Sequence, residues 1–205
     1  MASRFLAIVP VALVLTSLPA AAPASVVATA PTLAEPVPGS GGLDFLSAVT
    51  LPATVSTPVL GYDVAFTITG PGTGLTITGV DTANHPASEI FPTDPVFSTH
   101  IVGGTTVYAF SDFLLAGSGT ITPTSILFVL KFHADAGTSG VFNVNFVTDA
   151  ASPYKSVLYG DANLTPVPTT FQSGSIAFSA VPEPASLGVL GVGGLMLARR
   201  VRRRI

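Results

Sequence analysis

Cysteine and tryptophan are both absent from this 205-residue chain, and only 9% of its residues carry charge. Without cysteine there is no disulfide, no thiol nucleophile and no cysteine metal site. A folded part of this size must then be held by an apolar core alone. Without tryptophan, a sugar-binding surface would have to rely on tyrosine for its flat rings. Positive charge is scarcer still in the middle of the chain. Between Ser25 and Val181 only Lys131 and Lys155 are basic, against ten carboxylates, a net charge of −8. Such a surface repels phosphate and excludes nucleic acid as a partner.

The remaining positive charge marks the two ends. Arg4 precedes an apolar run from Phe5 to Leu18 and then an alanine-rich stretch. This is the layout of a secretory signal peptide over 1–24, cut by signal peptidase after Ala24. At the other end, Pro182-Glu183-Pro184 leads into an apolar run that stops at Arg199, Arg200, Arg202, Arg203 and Arg204. From Ala185 to Ala198 a helix would be about 21 Å long, short of a hydrocarbon core of about 30 Å. Arginines at the edge extend the usable span by snorkelling. Gly188, Gly191, Gly193 and Gly194 would each cost a water-soluble helix about 1 kcal/mol but are better tolerated in membrane helices. The run therefore reads as a single transmembrane helix with its basic end in the cytoplasm.

This order of kinked motif, greasy helix and basic stop over 181–205 closely resembles the PEP-CTERM sorting signal. The resemblance implies a bacterium that makes extracellular polysaccharide and a partner enzyme, the transpeptidase-like exosortase, that processes the tail. It also implies roles: Pro182, Glu183 and Pro184 as the sorting motif, and the five arginines as the stop-transfer element. The expected path is export, anchorage by the C-terminal helix, then the cell surface or the extracellular matrix of a biofilm.

The chain between these ends alternates. Tyr62, Val64, Phe66 and Ile68 oppose Asp63, Thr67 and Thr69; Ile126, Phe128, Leu130 and Phe132 oppose Lys131 and His133. Phe142, Val144 and Phe146 oppose Asn143 and Asn145, and Ile176 and Phe178 oppose Ser175 and Ser179. A period of two in β-branched and aromatic residues predicts half-buried strands. Weaker strands fit at 43–51, 75–81, 107–110 and 156–159, with glycine-rich turns between. Seven to nine such strands make an all-β, antiparallel β-sandwich of jelly-roll type over 41–180. Residues 25–40, rich in alanine and proline, are expected to be a flexible lead-in, and 84–100 a long loop.

Leu60-Gly61-Tyr62-Asp63-Val64-Ala65-Phe66, followed by Leu75-Thr76-Ile77-Thr78-Gly79-Val80, resembles the first hairpin of cohesin-like domains. The segments 126–134 and 141–147 are similar to a later hairpin, and 174–178 to the closing strand. Cohesins bind dockerin modules, so the resemblance implies protein–protein binding or adhesion; related carbohydrate-binding modules share the pattern and imply the producer's exopolysaccharide as ligand instead.

Catalytic patterns are lacking. His85, His100 and His133 are too scattered for a local metal pair, Gly117-Ser118-Gly119 has the wrong spacing for a nucleophile elbow, and 70–74 lacks the lysine of a phosphate loop. The expectation is a non-catalytic protein without cofactor, an enzyme with a scattered site being the remote alternative. Asp161 and Asn163 could offer oxygens to a structural calcium ion, but an ordinary turn explains them better. Tyr154 and Tyr159, flanking a polar turn-like stretch, are the candidate ligand contacts; Tyr62 and Tyr108 are expected to be core or half-buried.

Overall fold

The computed structural model describes residues 26–51, 58–91, 93–114, 119–122 and 124–180. The expected signal peptide and sorting tail lie outside these residues. In chain order the strands are β1 (Val26–Thr29), β2 (Leu33–Pro36), β3 (Leu43–Leu51), β4 (Pro58–Val59), β5 (Gly61–Thr69), β6 (Leu75–Val80) and β7 (Val96–Val102). They continue with β8 (Thr105–Phe113), β9 (Gly119–Thr120), β10 (Ser125–Ala134), β11 (Gly140–Phe146), β12 (Val157–Tyr159), β13 (Thr169–Gln172) and β14 (Gly174–Ser179). No helix occurs among the described residues.

Two sheets make a sandwich. The smaller has the order β13–β1–β3–β10–β6; the larger has the order β2–β14–β11–β5–β8–β7, with β12 also paired to β5. The alternation of the sequence explains which faces meet. Tyr62, Val64 and Phe66 of β5 and Phe142 and Val144 of β11 point from the larger sheet onto Phe128, Leu130 and Phe132 of β10, and all are buried. Phe128 sits at the centre: its ring stacks on Tyr62 at 5.3 Å and on Phe110 at 5.2 Å, and meets Phe66 edge-on at 6.3 Å. Aromatic pairs in these geometries add stabilisation beyond the area they bury.

Several expectations are corrected. Of the expected flexible lead-in over 25–40, the described residues 26–40 carry two strands: β1 and β2 pair parallel with β13 and β14 respectively. The first and last described strands of the sandwich thus run side by side and switch sheets together, so residues 26–36 belong to the packed unit, and the antiparallel expectation fails for these two pairs. At the switch Gly174 passes so close to the carbonyls of Ala30 and Pro31 that any Cβ would collide with backbone. The expected loop at 84–100 ends early, because Val96–Val102 is strand β7. Finally, Ile126 does not share the core face of Phe128. A bulge between them shifts the register, so Leu127 is buried and Ile126 only half-buried. One extra residue in a strand reverses every side chain before it.

Candidate functional site

The outer face of the larger sheet carries a surface cleft. Its floor is made by outward-pointing residues of three adjacent strands: Asp63 and Ala65 of β5, Ala109 and Ser111 of β8, and Val96 and Ser98 of β7. Its wall is the segment between β11 and β12. These two strands lie one after the other along the same edge of β5, β11 against Phe66–Thr69 and β12 against Gly61–Asp63. The chain between them leaves the sheet and crosses its outer face, so that the Tyr154 ring stacks on His100 of β7 at 4.2 Å. To get there it must pass over β5 and β8. Small side chains at Ala65 and Ala109 leave room for that crossing, and Ala65 is buried beneath it. Loop and sheet enclose about 460 Å³, lined also by Pro153, Lys155, Val157 and Tyr159.

Both tyrosines singled out in the sequence therefore line one cleft. Each is half-buried rather than fully exposed. Tyr159 donates its hydroxyl to Asp63 Oδ2 at 2.8 Å and stacks on Phe113 at 5.6 Å. Gly61 lies between those two rings in the sheet, and a side chain there would strike Phe113. Burial, then the hydrogen bond and negative charge of Asp63, push the Tyr159 phenol up to about 12. At neutral pH it remains a donor. Tyr62 and Tyr108 are in the core, as the alternation requires. Burial, reinforced by the charges of Asp112 and Glu89, raises the Tyr62 phenol, and its hydroxyl finds no hydrogen-bond partner among the described residues.

One pair was not legible in the sequence. His100 Nε2 and Ser98 Oγ, two residues apart on the outer face of β7, lie 2.9 Å apart. A serine beside an imidazole is half of a nucleophilic site. Among the described residues no carboxylate hydrogen-bonds His100 to orient it, and its ring is stacked on Tyr154. The other histidines are engaged elsewhere. His85 reaches Glu89 at 2.9 Å and Asp94 at 3.5 Å in the loop before β7. Burial raises the Glu89 carboxyl, against the pull of His85. His133 of β10 reaches Asp44 at 2.6 Å and Asp135 at 3.6 Å on the opposite sheet. Among the described residues no group of three or more His, Asp or Glu side chains is arranged to hold a metal ion.

The Asp161 segment is a turn stapled by its own backbone. Asp161 Oδ1 accepts from the N–H groups of Asn163 and Thr165, both at 3.0 Å, and Leu164 adopts a left-handed φ of 58°. Those bonds, that to Thr165 foremost, hold the Asp161 carboxyl below its usual range. An oxygen already accepting two backbone N–H groups is a turn cap first. Pro182, Glu183, Pro184 and the arginines at 199, 200, 202, 203 and 204 lie outside the described residues.

No protein-family model matches the chain, and no curated protein matches it significantly. Its fold does match solved structures. The sixth cohesin of scaffoldin B from Acetivibrio cellulolyticus, in complex with a dockerin, aligns with a TM-score of 0.52 at 17% identity, covering 76% of this chain and 100% of that one. The seventh ScaB type I cohesin from Pseudobacteroides cellulosolvens gives 0.49 at 17% identity, covering 78% and 96%. The third ScaB cohesin of R. flavefaciens, in complex with a group 1 dockerin, gives 0.48 at 21% identity, covering 79% and 100%. The fold is a cohesin-like β-sandwich.

Proposed function

We propose that this chain is a non-catalytic, exported surface or matrix protein that binds a partner protein through the outer face of its larger sheet. The observation that carries the reading is the cleft itself. Its floor is built of small residues, Ala65, Ala109, Ser98 and Ser111, framed by Tyr154, Tyr159 and His100, with Asp63 and Lys155 as the charged groups in its lining. A flat, largely neutral sheet with aromatic anchors at its margin is what a protein surface can cover with little desolvation cost. The cohesin likeness supports the same reading, since the scaffoldin B cohesin named above was solved with a dockerin bound.

Sorting belongs to the same proposal. Pro182-Glu183-Pro184 and the terminal arginines support processing by an exosortase-type enzyme after export, with residues 1–24 removed by signal peptidase. Glycan binding remains the alternative, supported by the placement of Tyr154 and Tyr159 in one cleft. It is the weaker reading because Tyr154 and Tyr159 each already stack on a protein ring, His100 and Phe113. Ala109→Arg separates the two readings. It fills the floor of the cleft beneath the crossing loop, and should abolish capture of a protein from the native envelope. Retention of polysaccharide that is lost in Tyr154→Ala, with no protein captured, would replace this reading by the glycan one.

A further inference from the structure

The two sheets end at β13, β6, β2 and β7, and three of these edges carry protection against pairing. β2 is four residues long and includes Glu35 and Pro36; β13 is equally short and follows Pro168. β6 pairs with β10 across a register break beside Gly79. Short length, proline, charge and bulges are the usual devices that keep an edge from templating another chain. β7 has none of them. Its seven residues, Val96-Phe97-Ser98-Thr99-His100-Ile101-Val102, contain no proline, lysine or carboxylate and pair with β8 without a register shift. Val96 is 70% exposed, Ile101 79% and Val102 40%. Among the described residues nothing pairs with its second edge.

We propose that β7 pairs antiparallel with β7 of a second copy of this chain, about a two-fold axis at Thr99, joining the two larger sheets into one. The strand is a palindrome in polarity: two apolar residues, three polar, two apolar. Centred on Thr99, Val96 faces Val102 of the other copy, Phe97 faces Ile101, and Ser98 faces His100. An isologous interface needs this self-complementarity. The same register separates like charges. Asp94, the nearest carboxylate before the strand, falls opposite Gly104, and the two copies of Asp94 stand roughly 34 Å apart at strand rise, well beyond a screening length of about 8 Å at physiological salt. A two-fold axis normal to the sheet keeps both outer faces on one side. The dimer therefore presents two clefts in one surface and gains by avidity toward any repeated ligand. The pairing does not depend on what the cleft binds.

The absence of cysteine makes the register directly readable. Residues facing each other on an antiparallel two-fold have Cα atoms about 4.5–5.5 Å apart, within disulfide reach. Thr99→Cys in the full chain, held in mild detergent, should oxidise to a covalent dimer. Ile101→Cys, about 14 Å from its own copy at that rise, should not. The wild-type chain should sediment as a dimer, and Ile101→Lys should raise its dissociation constant about tenfold or more with an unchanged β-rich circular dichroism spectrum. A monomeric wild type, a dimer indifferent to Ile101→Lys, or equal cross-linking at positions 99 and 101 would each overturn the proposal, including in favour of an extended peptide from another protein on this edge.

Discussion

The hydroxyl of Ser156 is hydrogen-bonded to both backbone polar groups of Ala65: it accepts from the Ala65 N–H at 3.1 Å and donates to the Ala65 carbonyl at 3.1 Å. This occurs where the chain leaves the edge of β5 between β11 and β12. The neck of the excursion is closed by Val147 and Ser156, whose backbones pair at 2.7 Å, and Val147 also donates to Ala65 at 2.8 Å. A side chain thus completes a ladder that the backbone alone has interrupted, and it anchors the loop that walls the cleft.

Ser156→Ala removes this anchor. Ser156 is 1% exposed, so the Ala65 N–H is left without a partner in a dry site. Such a loss costs about 1–3 kcal/mol. Urea unfolding should show that decrease with an unchanged m-value, and limited proteolysis should cut within 148–155 more readily. Wild-type stability in the variant would mean that the loop is held by other contacts.

The aromatic core predicts a gradient. Phe128→Ala, at the meeting point of Tyr62, Phe66 and Phe110, should lose about 3–5 kcal/mol. Tyr62→Phe should lose nothing, and can gain up to about 1 kcal/mol, because it removes a buried hydroxyl without a partner among the described residues. Thermal or urea midpoints check both. A large loss in Tyr62→Phe would show that its hydroxyl is in fact satisfied.

Gly174→Ala should be poorly tolerated. The atoms in the way are the carbonyls of Ala30 and Pro31, backbone rather than a flexible side-chain tip. The effect should be at least the roughly 1–3 kcal/mol usual for overpacking, read as a lower thermal midpoint. A neutral result would mean that β1–β2 and β13–β14 do not switch sheets together.

The pH dependence has a defined sign. The hydrogen bond from His133 to Asp44, with the charges of Asp44 and Asp135, raises the imidazole above its usual value. The stabilisation is fully present below about pH 6.5, the unfolded value, and disappears as pH rises through the folded one. Asp161, held low by the backbone N–H groups of Thr165 and Asn163, acts in the opposite sense: its contribution is present above about pH 3.9 and lost as pH falls through its folded value. Midpoints measured across neutral pH should fall slightly on the alkaline side, and Asp44→Asn should flatten that slope. A slope unchanged in Asp44→Asn would assign it to another group.

Most of the core was legible because period two is a local signal. Phe66, Phe132, Val144 and Ile176 each point inward as their neighbours require. The signal failed where pairing is not local. β1 and β2 are too short to alternate visibly, and they owe their strand conformation to β13 and β14, more than a hundred residues away. β7 reads apolar-apolar-polar-polar-polar-apolar-apolar, a poor alternation, because it is an edge whose two faces are both partly solvent-exposed. Tyr154 and Tyr159 could be named as candidates from their polar surroundings. That Tyr154 reaches His100 across two strands could not, since it depends on a loop crossing the sheet.

The two lysines of the chain, Lys131 and Lys155, give the most direct test of which face binds a partner. Lys155 lines the cleft, whereas Lys131 lies on β10 of the opposite sheet, beside Asp81 at 4.0 Å. An amine-reactive cross-linker applied to the protein in the cells that make it, followed by mass spectrometry, reports which face meets the partner. Protein partners should be joined through Lys155 and lost in Ala109→Arg. Partners joined through Lys131 alone, or Lys155 cross-links that persist in Ala109→Arg, would contradict binding at the cleft.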